Sequence, residues 1–141
     1  MPKMFFLNLP VADVARARRF HETMGAVADT RFCDERTAAM VYSDAVVVML
    51  LDRSRFADFT TKEIIDAKRQ VQGLFCFSAE SRAEVDEMVG RVAAAGGQAD
   101  PSPLQEHGFM YGRSYEDPDG HIFELVWMDQ AALAGMQPAT V

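Results

Sequence analysis

"SYEDPDGHIFELVWMD", residues 114–129, predicts two strands joined by a tight turn. Asp-Pro-Asp-Gly at 117–120 has the composition of a turn, and the strand "IFELVW" after it is apolar except for Glu124. A carboxylate is costly to bury unless it has a partner. Glu124 is therefore the first candidate for a functional residue.

The strands at 114–129 close the second of two halves that share one order of elements. "FFLNLPVAD" (5–13) and "LFCFSAES" (74–81) alternate like strands, and each leads into a helical pattern. Asp13 and Ser81 are the predicted N-caps, and Gly25 and Gly96-Gly97 the stops. Three short strands follow in each half, at 27–33, 37–42 and 46–51 and at 98–104, 109–115 and 121–127. Each half is therefore predicted to be a β-α-β-β-β module.

These modules predict a single domain over residues 1–129. The modules cover about 3–51 and 73–129, and a helical segment, 52–72, joins them. A segment of this length is either a plain linker or a flap over a site. The tail, 130–141, is expected to form at most a short helix and then fray.

Side chains alternate between the two faces of a strand, which predicts where Glu124 points. One face of the predicted strands is nearly all large and apolar and should pack under the two helices. The other face mixes polar and apolar side chains: Phe6, Asn8, Val48, Leu74, Cys76 and Glu124. If the two four-stranded sheets curve towards each other, this second face lines the trough between them. We therefore expect Glu124 to point into a cavity.

The composition excludes several classes of protein. A chain of 141 residues that is 49% hydrophobic is large enough for one buried core. Its formal net charge of −7 argues against binding nucleic acid, and no apolar run is long enough to span a membrane. Two cysteines and no signal-peptide pattern indicate a cytoplasmic protein with free thiols.

The paired modules, "VAD" before the first helix and "EDPDGHIFELVW" at the end resemble the vicinal oxygen chelate superfamily over about residues 3–129. That superfamily includes glyoxalase I, extradiol dioxygenases, and bleomycin- and fosfomycin-resistance proteins. "HGFMYGRSYEDPDGHIFE" and the long central segment are most similar to a bacterial subgroup described as predicted lactoylglutathione lyases. The resemblance implies an α+β fold, in which two βαβββ modules form a curved eight-stranded mixed sheet around a cavity. It also implies a homodimer.

Metal-dependent members of the superfamily hold a divalent ion with side chains from the first and last strands of each half. The corresponding residues here are Phe6, Leu74, Val48 and Glu124, so one ligand of four is retained. One carboxylate does not hold such an ion alone. The resemblance therefore leaves a divalent metal open as a cofactor without favouring it.

Three interpretations of Glu124 stay open: a metal ligand completed from elsewhere, a general base, or a carboxylate hydrogen-bonded inside the cavity. Arg113, in the adjacent strand, is the expected partner. His107 and Tyr111 are the other candidates for assisting catalysis. His21 is expected to be exposed on its helix.

Two functions are consistent with these residues. The first is a glyoxalase-like protein that acts on a small molecule, with Glu124, His107, Tyr111 and Arg113 as catalytic candidates. A lyase or a dioxygenase is the activity that the resemblance implies for it. The alternative is a metal-free protein of the bleomycin-resistance type that sequesters a ligand. The apolar wall of Phe6, Val48 and Leu74 favours this second function.

Overall fold

The computed structural model describes residues 3–136, which form the two predicted modules. The first contains β1 (Phe5–Val11), α1 (Val14–Thr23), β2 (Val27–Ala28), β3 (Thr37–Val41) and β4 (Val46–Asp52). After α2 (Arg53–Ala57), the second contains β5 (Leu74–Ser78), α3 (Arg82–Gly90), β6 (Gln98–Ala99), β7 (Gln105–Glu106), β8 (Met110–Glu116) and β9 (Ile122–Met128), and α4 (Gln130–Ala134) follows. The predicted α+β class is confirmed. Across 3–136, no helix is long and apolar enough to cross a membrane.

The two long helices begin at the predicted caps. The Asp13 carboxylate accepts a hydrogen bond from the backbone N–H of Arg16 at 3.0 Å, and the Ser81 hydroxyl accepts one from Glu84 at 3.0 Å. Each bond satisfies a backbone donor that the first turn of a helix leaves free. The caps therefore fix where each strand ends and its helix starts.

The strands form two separate mixed sheets, one in each module. The order is β1-β4-β3-β2 in the first sheet and β5-β9-β8-β6 in the second, where β7 also pairs with β8. In each sheet the first and last strands of the module are parallel neighbours, as a crossover through a helix requires. The repeat seen in the sequence is therefore also a repeat of topology.

A single core joins the modules through the helix-facing sides of both sheets. The Phe20 ring of α1 lies 6.1 Å from that of Tyr115, and Tyr42 stacks on Phe77 at 4.6 Å. Val85 and Val89 of α3 belong to the same buried cluster. Because both helix-facing sides are used in this core, the opposite faces of the two sheets point outward. In the single chain they do not enclose the expected trough.

His21 is buried in this core, so the prediction that it is exposed is wrong. Its ring is 0% exposed and lies 5.4 Å from the Phe123 ring. Its Nδ1 is 2.5 Å from the Tyr42 hydroxyl, and its Nε2 is 3.9 Å from Oδ2 of Asp117 in the Asp-Pro-Asp-Gly turn. The helix turns His21 towards the second module, and this contact could not be read from the helix alone.

Two predicted strands are shorter than expected. The span 27–33 gives the two residues of β2 and then a 3₁₀ turn, Thr30–Phe32, because the Asp29 carboxylate caps that turn through the N–H of Arg31. The span 98–104 gives only β6, since the prolines at 101 and 103 cannot donate to a ladder. The remainder of 98–104 is loop.

The segment that joins the modules is mostly non-helical, so the prediction of a helical segment over 52–72 is wrong beyond its first residues. Its only helix is α2, at the start. The Arg53 guanidinium donates to the carbonyls of Ile64 and Ile65 at 3.2 Å, which holds this backbone away from helical bonding. Further along, Ala67 lies against Gly120 of the Asp-Pro-Asp-Gly turn. The segment therefore packs on the turn of the second module. The predicted tail gives α4, and residues 137–141 lie outside the described part.

Gly120 is expected to tolerate no side chain. Its φ of +97° favours glycine, and a Cβ would lie 2.7 Å from the Ala67 carbonyl oxygen. We expect Gly120→Ala to lower the free energy of unfolding by about 2–4 kcal/mol in urea denaturation. Gly90→Ala is the matched control, because no atom lies within 4 Å of its Cβ position at the end of α3, and it should be neutral or stabilising. Equal stability of Gly120→Ala and wild type would contradict the close packing of the segment on the turn.

Candidate functional site

The outward face of the first sheet carries Phe6 and Asn8 of β1, as predicted, but different residues of β4. Phe6 pairs with Val47 and Asn8 with Met49, so these four side chains share one face. Val48 is 0% exposed in the core, which makes its prediction as a cavity residue wrong. Matching Val48 with Glu124 displaces β4 by one residue. A displacement of one residue moves every side chain of a strand to the other face.

The corrected register makes Met49 the counterpart of Glu124. In the second module Leu74 pairs with Ile122 and Cys76 with Glu124, as Phe6 pairs with Val47 and Asn8 with Met49 in the first. Counting from the N-caps Asp13 and Ser81 gives the same match between β1 and β5. The count from the caps does not identify Met49, because only the pairing of β4 with β1 fixes the register of β4.

A cavity of about 620 Å³ lies on the outward face of the first sheet. Most of its wall is apolar, and the polar side chains are few. Its lining consists of Met4, Phe6, Asn8, Asp29, Arg31, Phe32, Ala39, Val41, Ser43, Asp44, Val47 and Met49. This volume and lining are typical of a site for a small organic molecule. Sequence reasoning found Phe6 and Asn8. It missed Val47 and Met49 because the predicted register of β4 is displaced by one residue, and it missed the residues of β3 and the 3₁₀ turn because these reach the site only through the fold.

Glu124 lies on the outward face of the second sheet, between Cys76 of β5 and Ser114 of β8. It is half-buried, and within residues 3–136 no group forms a hydrogen bond or ion pair with its carboxylate. Burial, and then the charge of Glu124, raise the pKa of the Cys76 thiol. A protonated thiol is a poor nucleophile, so Cys76 is the weaker of the two candidates on this face.

Arg113 does not pair with Glu124, contrary to expectation. Across the strands it pairs with Leu125, which lies on the helix-facing side. Its guanidinium donates to both oxygens of Asp100, at 2.9 and 2.6 Å, and to Asp86 of α3 at 3.0 Å. The Tyr111 hydroxyl donates to the same Asp86 at 2.6 Å. Arg113 and Tyr111 therefore connect α3 to its sheet on the side opposite to Glu124.

His107 lies in the exposed loop between β7 and β8. Its backbone N–H donates to the carbonyl of Met110, and its Nε2 lies 3.0 Å from Oε1 of Gln105. Met110 is four residues along β8 from Ser114, the partner of Glu124, which corresponds to roughly 13 Å. Of the four catalytic candidates, Glu124 alone occupies the outward face of the second sheet.

The model of the glyoxalase/bleomycin resistance protein/dioxygenase superfamily matches residues 3–125. The chain belongs to that superfamily. No curated protein matches it. The similar solved structures share the fold at low identity, so they show the architecture alone.

Three of these structures span nearly the whole domain. A hypothetical protein, SA1046 from S. aureus, has a TM-score of 0.75 and 20% identity over 90% of this chain and 95% of its own. A glyoxalase-related enzyme from Fulvimarina pelagi has a TM-score of 0.74 and 19% identity over 90% and 88%. The fosfomycin resistance protein FosX from Mesorhizobium loti has a TM-score of 0.67 and 16% identity over 96% and 99%.

The residues present do not fit the divalent metal that the resemblance implies. With the corrected register, the four positions carry Phe6, Met49, Leu74 and Glu124, of which only the carboxylate is a hard oxygen donor. Among residues 3–136, no group of three His, Cys, Asp or Glu side chains is placed to hold an ion. The chemistry of this donor set, one carboxylate and one thioether, suits no Mn²⁺, Ni²⁺ or Zn²⁺ centre.

The contacts predict different effects for substitutions of Glu124 and Arg113. Glu124→Gln should change the free energy of unfolding by less than about 0.5 kcal/mol, because the carboxylate has no described partner. Arg113→Met should lower it by about 1–2 kcal/mol, since Asp86 and Asp100 lose their shared cation. Arg91→Met, which breaks the exposed pair with Glu87 on α3, is the control and should cost little in the same urea titration. A large loss in Glu124→Gln would reveal a structural role for that carboxylate.

Proposed function

We propose that the protein binds a small, largely apolar organic molecule in the cavity of the first module and acts on it with Glu124 as proton acceptor, without a metal centre of the superfamily type. The observation that carries this proposal is the cavity, whose apolar wall includes Phe6, Val47 and Met49. Apolar walls supply binding energy, and a few polar groups set orientation. Asn8 is such a group.

Glu124 is proposed as the proton acceptor because no group within residues 3–136 binds its carboxylate. A general base must reach the proton that it removes, and a carboxylate held by neighbours is poorly placed to do so. Glu124 has no described partner, whereas Asp86 and Asp100 of the second module are bound to Arg113. A metal-free sequestering protein of the bleomycin-resistance type is the alternative, and the apolar wall alone does not favour it over an enzyme.

Glu124 and the cavity belong to different sheets, so one chain alone does not bring them together. Both outward faces expose apolar side chains: Phe6 is 54% exposed and Leu74 59%. A two-fold axis between two copies would set the first sheet of one chain against the second sheet of the other, twice. We propose this homodimer as the working form, because it covers both faces and brings Glu124 of one copy to the cavity of the other.

The binding site can be tested with 2-naphthylmethanol, a neutral apolar probe, by isothermal titration calorimetry. We expect Phe6→Ser to weaken binding about tenfold through loss of the ring contact. Leu104→Ser, which removes an exposed apolar side chain that does not line the cavity, should leave affinity unchanged. EDTA or added Mn²⁺ should not alter the dissociation constant. A wild-type protein that binds no probe, or binds only with metal, would overturn the proposed function.

The dimer makes a separate prediction. At about 10 μM, analytical ultracentrifugation should show a dimer for the wild type and a monomer for Leu74→Asp, since a charge in a buried apolar contact is costly. Val71→Asp is the control, because Val71 is as exposed, at 63%, but lies in the joining segment outside both sheets. A monomeric wild type at this concentration would contradict the assembly. It would also contradict the role of Glu124 as proton acceptor, because one chain alone does not bring Glu124 to the cavity.

A further inference from the structure

The charged groups around the cavity of the first module specify its ligand further. This inference rests on the proposed function, in which that cavity binds a small molecule. Two carboxylates, Asp29 and Asp44, and one guanidinium, Arg31, line the cavity, so its lining carries one net negative charge. Lys3 precedes the lining residue Met4 but does not itself line the cavity.

Arg31 is already paired and gives little attraction to an anion. Its Nε lies 3.0 Å from Oδ1 of Asp29 and its Nη2 lies 2.8 Å from Oδ2, a bidentate arrangement. The hydrogen bond from Arg31 also lowers the pKa of Asp29, which keeps that carboxylate charged. The pair is exposed and therefore weak, yet if Arg31 turned to an anionic ligand, Asp29 would remain beside it as a repelling charge.

Asp44 carries the net negative charge of the lining, because Asp29 and Arg31 pair with each other. It lies in the turn between β3 and β4, and no ion pair within residues 3–136 includes it. The other lining residues are mostly apolar, so few charged groups offset the electrostatic field of the Asp44 carboxylate inside the cavity. In the proposed dimer, Glu124 of the partner subunit would add a second carboxylate.

The aromatic walls favour the same sign of ligand charge. The faces of aromatic rings attract cations, and Phe6 and Phe32 both line the cavity. The guanidinium carbon of Arg31 lies 5.5 Å from the centre of the Phe32 ring, so one of these two rings already makes a cation–π contact. Burial of an apolar body and attraction of a positive head group can therefore occur together.

We propose that the ligand of this cavity is an apolar organic cation, such as an aryl-alkyl ammonium. An uncharged molecule of the same shape binds more weakly, and an anionic one binds least. The cavity of about 620 Å³ is large enough for a two-ring body with its head group directed to the rim where Asp44 lies.

The test uses three probes with one body and different head groups: 2-naphthylmethylammonium, 2-naphthylmethanol and 2-naphthylmethanesulfonate. Calorimetry at pH 7.5 and low ionic strength gives their dissociation constants. We expect the ammonium to bind about three- to fivefold more tightly than the alcohol, the effect of one unit charge a few ångström away in water, and the sulfonate to bind more weakly than the alcohol. In about 0.3 M salt, the dissociation constants of the charged probes should come closer to that of the alcohol, because salt screens the charges.

Two variants assign the preference to Asp44. Asp44→Asn should bring the affinities for the ammonium and the alcohol within about a factor of two while leaving that for the alcohol unchanged. Glu63→Gln removes one exposed carboxylate that does not line the cavity and is the control for net charge; it should retain the wild-type order. If Glu63→Gln lowered the preference as much as Asp44→Asn, the net charge of the chain would explain it, and the proposal would be wrong.

The outcomes also separate this inference from the function on which it rests. Equal affinities for the three probes, or tightest binding of the sulfonate, would overturn the ligand charge while the cavity remained a binding site. Binding of none of the probes would overturn the proposed function, and the ligand class would fall with it. Phe6→Ser should weaken the binding of all three probes, and that of the ammonium most, because it removes apolar wall together with a ring face that attracts cations.

Discussion

The packing of α1 against the second sheet is the contact on which the rest of the structure depends. Phe20 and His21 reach the Tyr115 and Phe123 rings, so the helix of one module helps to cover the sheet of the other. This contact directs the helix-facing sides of both sheets inward. The opposite faces must then point outward, and a cavity on one and a carboxylate on the other can meet only through a second chain. The proposal of a dimer therefore starts from an apolar contact inside the monomer.

Local signals in the sequence predicted the modules, because each of them acts within a few residues. The caps Asp13 and Ser81 and the Asp-Pro-Asp-Gly turn lie where the composition indicated. The faces of β1, β5 and β9 are also predicted correctly, since Asn8, Cys76 and Glu124 mark the mixed face of their strands. In β4 the run Val46–Leu51 is apolar throughout, so nothing in its composition marks which side chain faces the core. Only its pairing with β1 decides, and the prediction was displaced by one residue.

The remaining differences concern partners that are distant in sequence. Arg113 was assigned to Glu124 because their strands are neighbours, but parity sets Arg113 against Asp86 of α3 and Asp100 of the loop after β6. The prediction of a helix in the joining segment is wrong for a similar reason. The Arg53 guanidinium donates hydrogen bonds to two carbonyls that a helix would use. Propensity is a weak guide where tertiary contacts compete for the same backbone groups.

The residues at the four metal positions of the superfamily also bear on the charge that the cavity presents to a ligand. A divalent ion would bring positive charge to the cleft and draw anionic oxygens to it. Phe6, Met49 and Leu74 replace three of its ligands with side chains that carry no charge, so the charges that remain at the cavity come chiefly from carboxylates. The poor fit to a metal rests on Phe6, Met49 and Leu74, whereas the proposed preference for a cation rests on Asp44 and the aromatic walls. The same fold supports different chemistry because its function lies in these few positions and not in the sheets that carry them.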